Sequence, residues 1–401
     1  MSCSKFSQTL ICFCLLITIS TACSPAATPT IEPTSPPPLA ATPQPTPTPG
    51  PTSTAQPSAT LTSTQPLSPD SNPFPLLEPG PYMSGRRSYS LQDASRGNRP
   101  VGITVYYPAI RPPGSSSRFP KLDAQPDLSG APYPVILSST KVAGIFAPYL
   151  VSHGFTWVSV NKLDTYARMN EHMYRQPLDI LFALDQVAAN PPQGLEGMID
   201  VEHAGTIGYS FDGYNSLAMS GARIDPVYYL EQCPNPDATS EELVFSGLSS
   251  YSCDPANNWD EFSTSAGEIS TPGEDGLWQP MTDARIRAVM PLAGEGWWLF
   301  GERGLASADK PTLIIVATND QLYNENVLIY NHLGSPDKAL ISFIGPGHMM
   351  IYETDMIERM AHFAVAFFGY HLQGREDLAW YYSEDFISKH EDIAWGEYYG
   401  E

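Results

Sequence analysis

The chain has 401 residues, 42% of them hydrophobic, and a formal net charge of −22. That surplus of acid argues against nucleic acid and anionic membrane surfaces as partners, since each would be approached against like charge. It carries no information about fold.

Residues 1–23 read as a lipoprotein-type signal peptide rather than as part of the fold. Lys5 supplies the positive start, and residues 10–19 form an apolar core too short to span a bilayer. Cys23 follows Ser20-Thr21-Ala22, which resembles a bacterial lipoprotein processing site, with Ser20 standing where leucine is usual. Cys23 is therefore the expected lipidation site, with simple secretion as the alternative. Acyl chains would anchor the protein to the bacterial membrane, each buried CH₂ contributing about 0.8 kcal/mol. The expected location is the cell surface.

Residues 24–80 hold 17 prolines in 57 positions, with Thr, Ser and Ala filling most of the rest. Such a segment lacks the apolar content to offset its ordering entropy and reads as a disordered or polyproline-like tether. Residues 81–401 are long enough for one α/β domain carrying an insertion.

Along that domain, 86–91 and 101–107 alternate and predict an antiparallel ribbon. Short apolar runs at 134–139, 156–161, 204–209, 285–292, 311–318 and 338–344 suit a mostly parallel sheet covered on both faces. Helical patterns lie between most of them, notably 177–190 and 355–372, with Pro177 read as a helix start and Asn190-Pro191-Pro192 as a stop. Residues 221–282 break the rhythm with turn formers, acids and aromatics. They read as a cap bordering the active-site mouth, or as a peripheral loop. Cys233 and Cys253 are the only cysteines beyond the signal region, and an exported pair of this kind is expected to form a disulfide. No second ligand pair sits near them at metal spacing, so no metal or cofactor is expected.

The most informative stretch is Gly208-Tyr209-Ser210-Phe211-Asp212-Gly213, where an apolar run ends and a small-residue helix pattern begins at once. A strand turning sharply into a helix holds one side chain exposed above the sheet edge, with helical N–H groups aimed at whatever it attacks. Ser210 is that residue. Asp320 ends one later strand pattern and His348 follows the last, in the loop Gly345-Pro346-Gly347-His348. The order serine, acid, histidine, each just past a strand, fits a hydrolytic triad. A helix cap is the duller role for Asp320, and the two are compatible.

With these pieces, residues 81 to 390 resemble the dienelactone-hydrolase-like branch of the α/β-hydrolases, near bacterial relatives of platelet-activating-factor acetylhydrolase. The likeness extends to Tyr133–Ser139, Val151–Val160 and Arg175–Gln186 as scaffold, and to the closing helix that begins at His362. It implies a serine hydrolase acting on a small ester through an acyl-enzyme. Rival readings are a hydrolase fold kept for binding, or hydrolysis of thioester or peptide bonds.

By the same likeness the oxyanion donors are the backbone N–H of Phe211 and one from Lys141 or Val142. Ser152-His153-Gly154 reads as a helix end, not an oxyanion loop. Lys141 and Asp212 stand where relatives usually have glycine, and an ion pair between them is expected to buttress the elbow. Trp297, Trp298, Met349 and Met350 are the expected pocket residues, although tandem tryptophans also serve as core filling.

Overall fold

Ten strands join into one sheet in the computed structural model, which describes residues 73–115, 117–161, 171–233 and 254–400. The signal, Cys23 and all but the last eight residues of the expected tether lie outside the described residues. The first two strands, β1 (Met83–Asp93) and β2 (Arg99–Ala109), form the expected antiparallel ribbon, and β3 (Lys121–Leu122) edges it. The rest are β4 (Tyr133–Ser139), β5 (Thr156–Val160), β6 (Ile199–Tyr209), β7 (Ile286–Leu292), β8 (Thr312–Ala317), β9 (Lys338–Phe343) and β10 (Ile393–Trp395). The spatial order is β10-β9-β8-β7-β6-β4-β5-β2-β1-β3. From β9 across to β5 every pairing is parallel.

Nine helices are described: α1 (Thr140–Ser152), α2 (His172–Ala189), α3 (Phe211–Met219), α4 (Pro226–Gln232), α5 (Trp259–Ala266), α6 (Trp297–Leu305), α7 (Tyr323–His332), α8 (Thr354–Gln373) and α9 (Glu384–Ile387). Because strand side chains alternate, Ile136 of β4 faces one hydrophobic cluster while Val135 and Leu137 face another. The first cluster takes Phe146 and Leu150 of α1 and Phe363 and Phe367 of α8; the second takes Ile180, Leu184 and Val187 of α2. Covering on both faces explains why β4 and β8 are buried at every position and read as unbroken apolar runs. This is the α/β architecture expected, compatible with an α/β-hydrolase-like fold.

Three details differ from the sequence reading. Pro177 sits inside α2, which starts five residues earlier at His172. A proline there deprives the carbonyl four residues back of its donor; the Tyr214 hydroxyl donates to that Met173 oxygen at 2.7 Å instead. Residues 73–80 carry a helical turn whose Phe74 is buried against His362, Phe363 and Phe386. The ordered domain thus begins before residue 81, since Phe74-Pro-Leu-Leu has apolar surface to bury. The edge strand β10 was not predicted; three residues give too little pattern.

The described parts of 221–282 pack by aromatic contact. Tyr229 meets Trp259 and Trp298, and Trp259 and Phe262 both meet Trp278. Cys233 is buried and disulfide-bonded; Cys253 lies outside the described residues. No described helix is long and apolar enough to cross a membrane.

Candidate active site

Ser210 stands between β6 and α3 with φ 59° and ψ −127°, a conformation a non-glycine residue adopts only when its surroundings impose it. Two glycines permit that turn. A Cβ on Gly208 would lie 1.9 Å from the Asp212 carbonyl oxygen, and one on Gly213 would lie 2.6 Å from the Gly294 Cα. The close approach to the loop after β7 falls on Gly213, so Asp212 meets no such constraint.

Asp320 and His348 converge because their loops are laced together. Beyond the β8–β9 pairing Ala317↔Phe343, the Gly345 N–H donates to Thr318 Oγ1 at 2.9 Å and the Asn319 N–H donates to the Pro346 oxygen at 3.1 Å. The result is a relay. His348 Nδ1 lies 2.9 and 3.0 Å from the two oxygens of Asp320, whose side chain is fully buried. His348 Nε2 lies 3.1 Å from Ser210 Oγ. Asp320 also accepts the Leu322 N–H at 2.8 Å, a local turn just ahead of α7, whose N-cap is Leu322 and has no side-chain cap bond. The Tyr209 ring stacks on His348 at 5.2 Å between centroids.

Around the elbow the contacts depart from expectation. Ser139, the last residue of β4, caps α1 by accepting the Lys141 N–H at 3.1 Å. Its hydroxyl donates to Asp212 Oδ2. Lys141 Nζ donates instead to the Tyr209 carbonyl at 3.1 Å and sits 5.4 Å from that ring's centroid. Ser139 thus joins Asp212 to the start of α1, and no Lys141–Asp212 ion pair is among those of the described residues. The buried carboxylate lies in the first turn of α3 and is linked to the first turn of α1, where helix dipoles favour negative charge. Since the Lys141 N–H is engaged by the cap, Val142 is the better placed of the two α1 donors. His153 ends α1 with Gly154 at φ 85°, the helix end that was expected.

A residue missed in the sequence completes the centre. Glu295, 2% exposed, accepts from the Ser210 hydroxyl at 3.1 Å. It rides on a constrained loop after β7, with Ala293 at φ 44° and Gly296 at φ 144°. Asn326 of α7 accepts the Gly294 N–H and donates to the Gly294 oxygen, at 3.0 and 2.9 Å. Glu325 Oε1 accepts the N–H groups of Gly296 and Trp297, at 2.8 and 3.0 Å. Burial, then the Glu295 charge, push the Glu325 carboxyl up to about 8, with Asp320 adding to the rise and the two N–H donors opposing it. The available signal was Gly294-Glu295-Gly296, an acid between glycines just past a strand.

Of the expected pocket residues, the two tryptophans lie in the core. Trp297 packs on His332 and Tyr228, and Trp298 on Tyr229; both are buried in the main core, as filling side chains are. Met349 is 61% exposed beside His348, while Met350 is buried. No group of side chains suited to holding a metal ion occurs among the described residues. No protein-family model matches the chain, and no curated protein matches it.

Proposed function

We propose that the protein is a serine hydrolase cleaving carboxylic esters through an acyl-enzyme. The observation that carries this reading is the Asp320–His348–Ser210 relay, with hydrogen-bond distances of 2.9 to 3.1 Å, set on a serine whose backbone is held at positive φ. In the first half-reaction Ser210 Oγ attacks the ester carbon while His348 Nε2 takes its proton. His348 then delivers that proton to the leaving alcohol. Asp320 fixes the tautomer that leaves Nε2 free to accept, and stabilises the imidazolium. The oxyanion would meet the N–H of Phe211 at the start of α3 and that of Val142 in the first turn of α1. Water repeats the sequence on the acyl group.

The finer likeness to dienelactone-hydrolase-like enzymes, and an exported, lipid-anchored location through Cys23, belong to the same proposal. The test is transient kinetics with p-nitrophenyl acetate. A burst of p-nitrophenol near one equivalent is expected, with an acetyl adduct on the peptide containing Ser210 after acid quench. Steady release with no adduct on that peptide would reject the acyl-enzyme. Absence of turnover would favour a binding protein on the same fold.

A further inference from the structure

We infer that Tyr209 is a positioning residue for His348, its ring holding the imidazole in plane and stabilising the imidazolium that forms when Ser210 gives up its proton. The inference rests on the acyl-enzyme reading of Ser210 and adds to it a residue that acts through the base. Tyr209 is the last residue of β6, and strand alternation turns its side chain, with that of Ile207, into the cluster shared by α1 and α8. There it is 3% exposed and stacks on His348, with 5.2 Å between centroids and 29° between planes.

The two hydrogen-bonded contacts of the relay leave His348 one freedom. Asp320 holds Nδ1 at 2.9 and 3.0 Å and Ser210 Oγ meets Nε2 at 3.1 Å, but a ring held at its two nitrogens can still pivot about the line joining them. Pivoting swings the Nε2 lone pair away from Oγ, and a second ring stacked on the imidazole face opposes it. The aromatic face also attracts a cation within about 6 Å of its centroid. A neutral imidazole gains little from that field and an imidazolium gains more, so the contact favours the transition state over the resting enzyme. The other charges that reach this group are Asp320, after β8, Glu295, which accepts from the Ser210 hydroxyl, and Lys141 of α1, whose Nζ lies 5.4 Å from the Tyr209 centroid. Lys141 has a nearer acceptor in the Tyr209 carbonyl at 3.1 Å, so its stronger hold is on the backbone of the elbow.

The experiment records kcat/KM for p-nitrophenyl acetate against pH in wild type, Tyr209→Phe, Tyr209→Leu and Tyr209→Met. Phenylalanine keeps the aromatic face and should hold the midpoint of the acid limb within about 0.2 pH unit of wild type, with a plateau within about threefold. Leucine and methionine fill space without a π face. Each should lower the plateau by about tenfold or more and move the midpoint down by roughly 0.5 to 1 pH unit, since an imidazolium without the ring gives up its proton at lower pH. The midpoint does not depend on how much of a preparation is active, and the rate of fluorophosphonate labelling against pH supplies it where turnover is too slow to follow. A midpoint unmoved or raised in either folded variant, or one displaced as far in Tyr209→Phe, overturns the inference while leaving the acyl-enzyme standing. So does loss of the fold in both nonaromatic variants, which would assign the ring to core filling. A wild-type protein that gives no p-nitrophenol burst overturns both.

Discussion

Ser210→Ala is expected to lower kcat for short p-nitrophenyl esters by about 10⁴- to 10⁶-fold, the range seen when a triad nucleophile is removed. Alanine keeps the Cβ at φ 59°, so the elbow gains no new strain and unfolding free energy should stay within about 1 kcal/mol of wild type. Asp320→Asn separates orientation from nucleophilicity. It preserves the packing, and its amide can still accept the Leu322 N–H, but it presents a donor to His348 Nδ1 and so favours the wrong tautomer. The expected fall in kcat is about 10⁴-fold. Retention of more than a tenth of wild-type turnover by either variant would remove that residue from the mechanism.

The second large effect is on stability. The Glu325 carboxyl is raised from an ordinary 4.5 to about 8 in the folded protein, chiefly by burial. Between those values the unfolded chain has released this proton while the native protein still holds it. The native state then binds more protons, so stability falls as pH rises across that window and levels off above about 8. The full shift sets an upper bound of roughly 5 kcal/mol. Glu325→Gln keeps a carbonyl oxygen for the N–H groups of Gly296 and Trp297 and abolishes the titration. Urea unfolding at pH 5, 6.5 and 8.5 should show wild type losing a few kcal/mol relative to this variant as pH rises. Parallel curves for the two proteins would contradict the assignment.

The sheet was legible in the sequence because it is covered on both faces. Runs such as Thr312–Ala317 are buried throughout, and short apolar stretches separated by helical patterns are what a parallel sheet covered on both faces requires. The elbow, the acid and the histidine were legible because each is punctuation at a strand end. Glu295 also follows a strand end, yet sequence order alone does not reveal that β7 lies beside β6, with Tyr209 paired to Leu292. That adjacency brings a loop 85 residues further along the chain against Ser210.

Asp212 was misassigned for a related reason. Its charge invited pairing with Lys141, whereas the parallel pairing of β4 with β6 also brings the Ser139 hydroxyl to it. Pro177 misled in the opposite direction. A helix start was the economical reading, and only the tertiary contact from Tyr214, on the neighbouring α3, shows how a proline is accommodated in the second turn of α2. Trp297 and Trp298 look like binding residues by composition, but their neighbours are other aromatic rings of the core.

Fluorophosphonate labelling addresses the central claim most directly, since only a serine activated by a neighbouring base reacts at a useful rate. Incubation of the full chain followed by peptide mass analysis should find a single phosphonyl adduct on the peptide containing Ser210, lost in Ser210→Ala and strongly slowed in His348→Ala. An unmodified Ser210, or labelling that proceeds equally well without His348, would contradict the account.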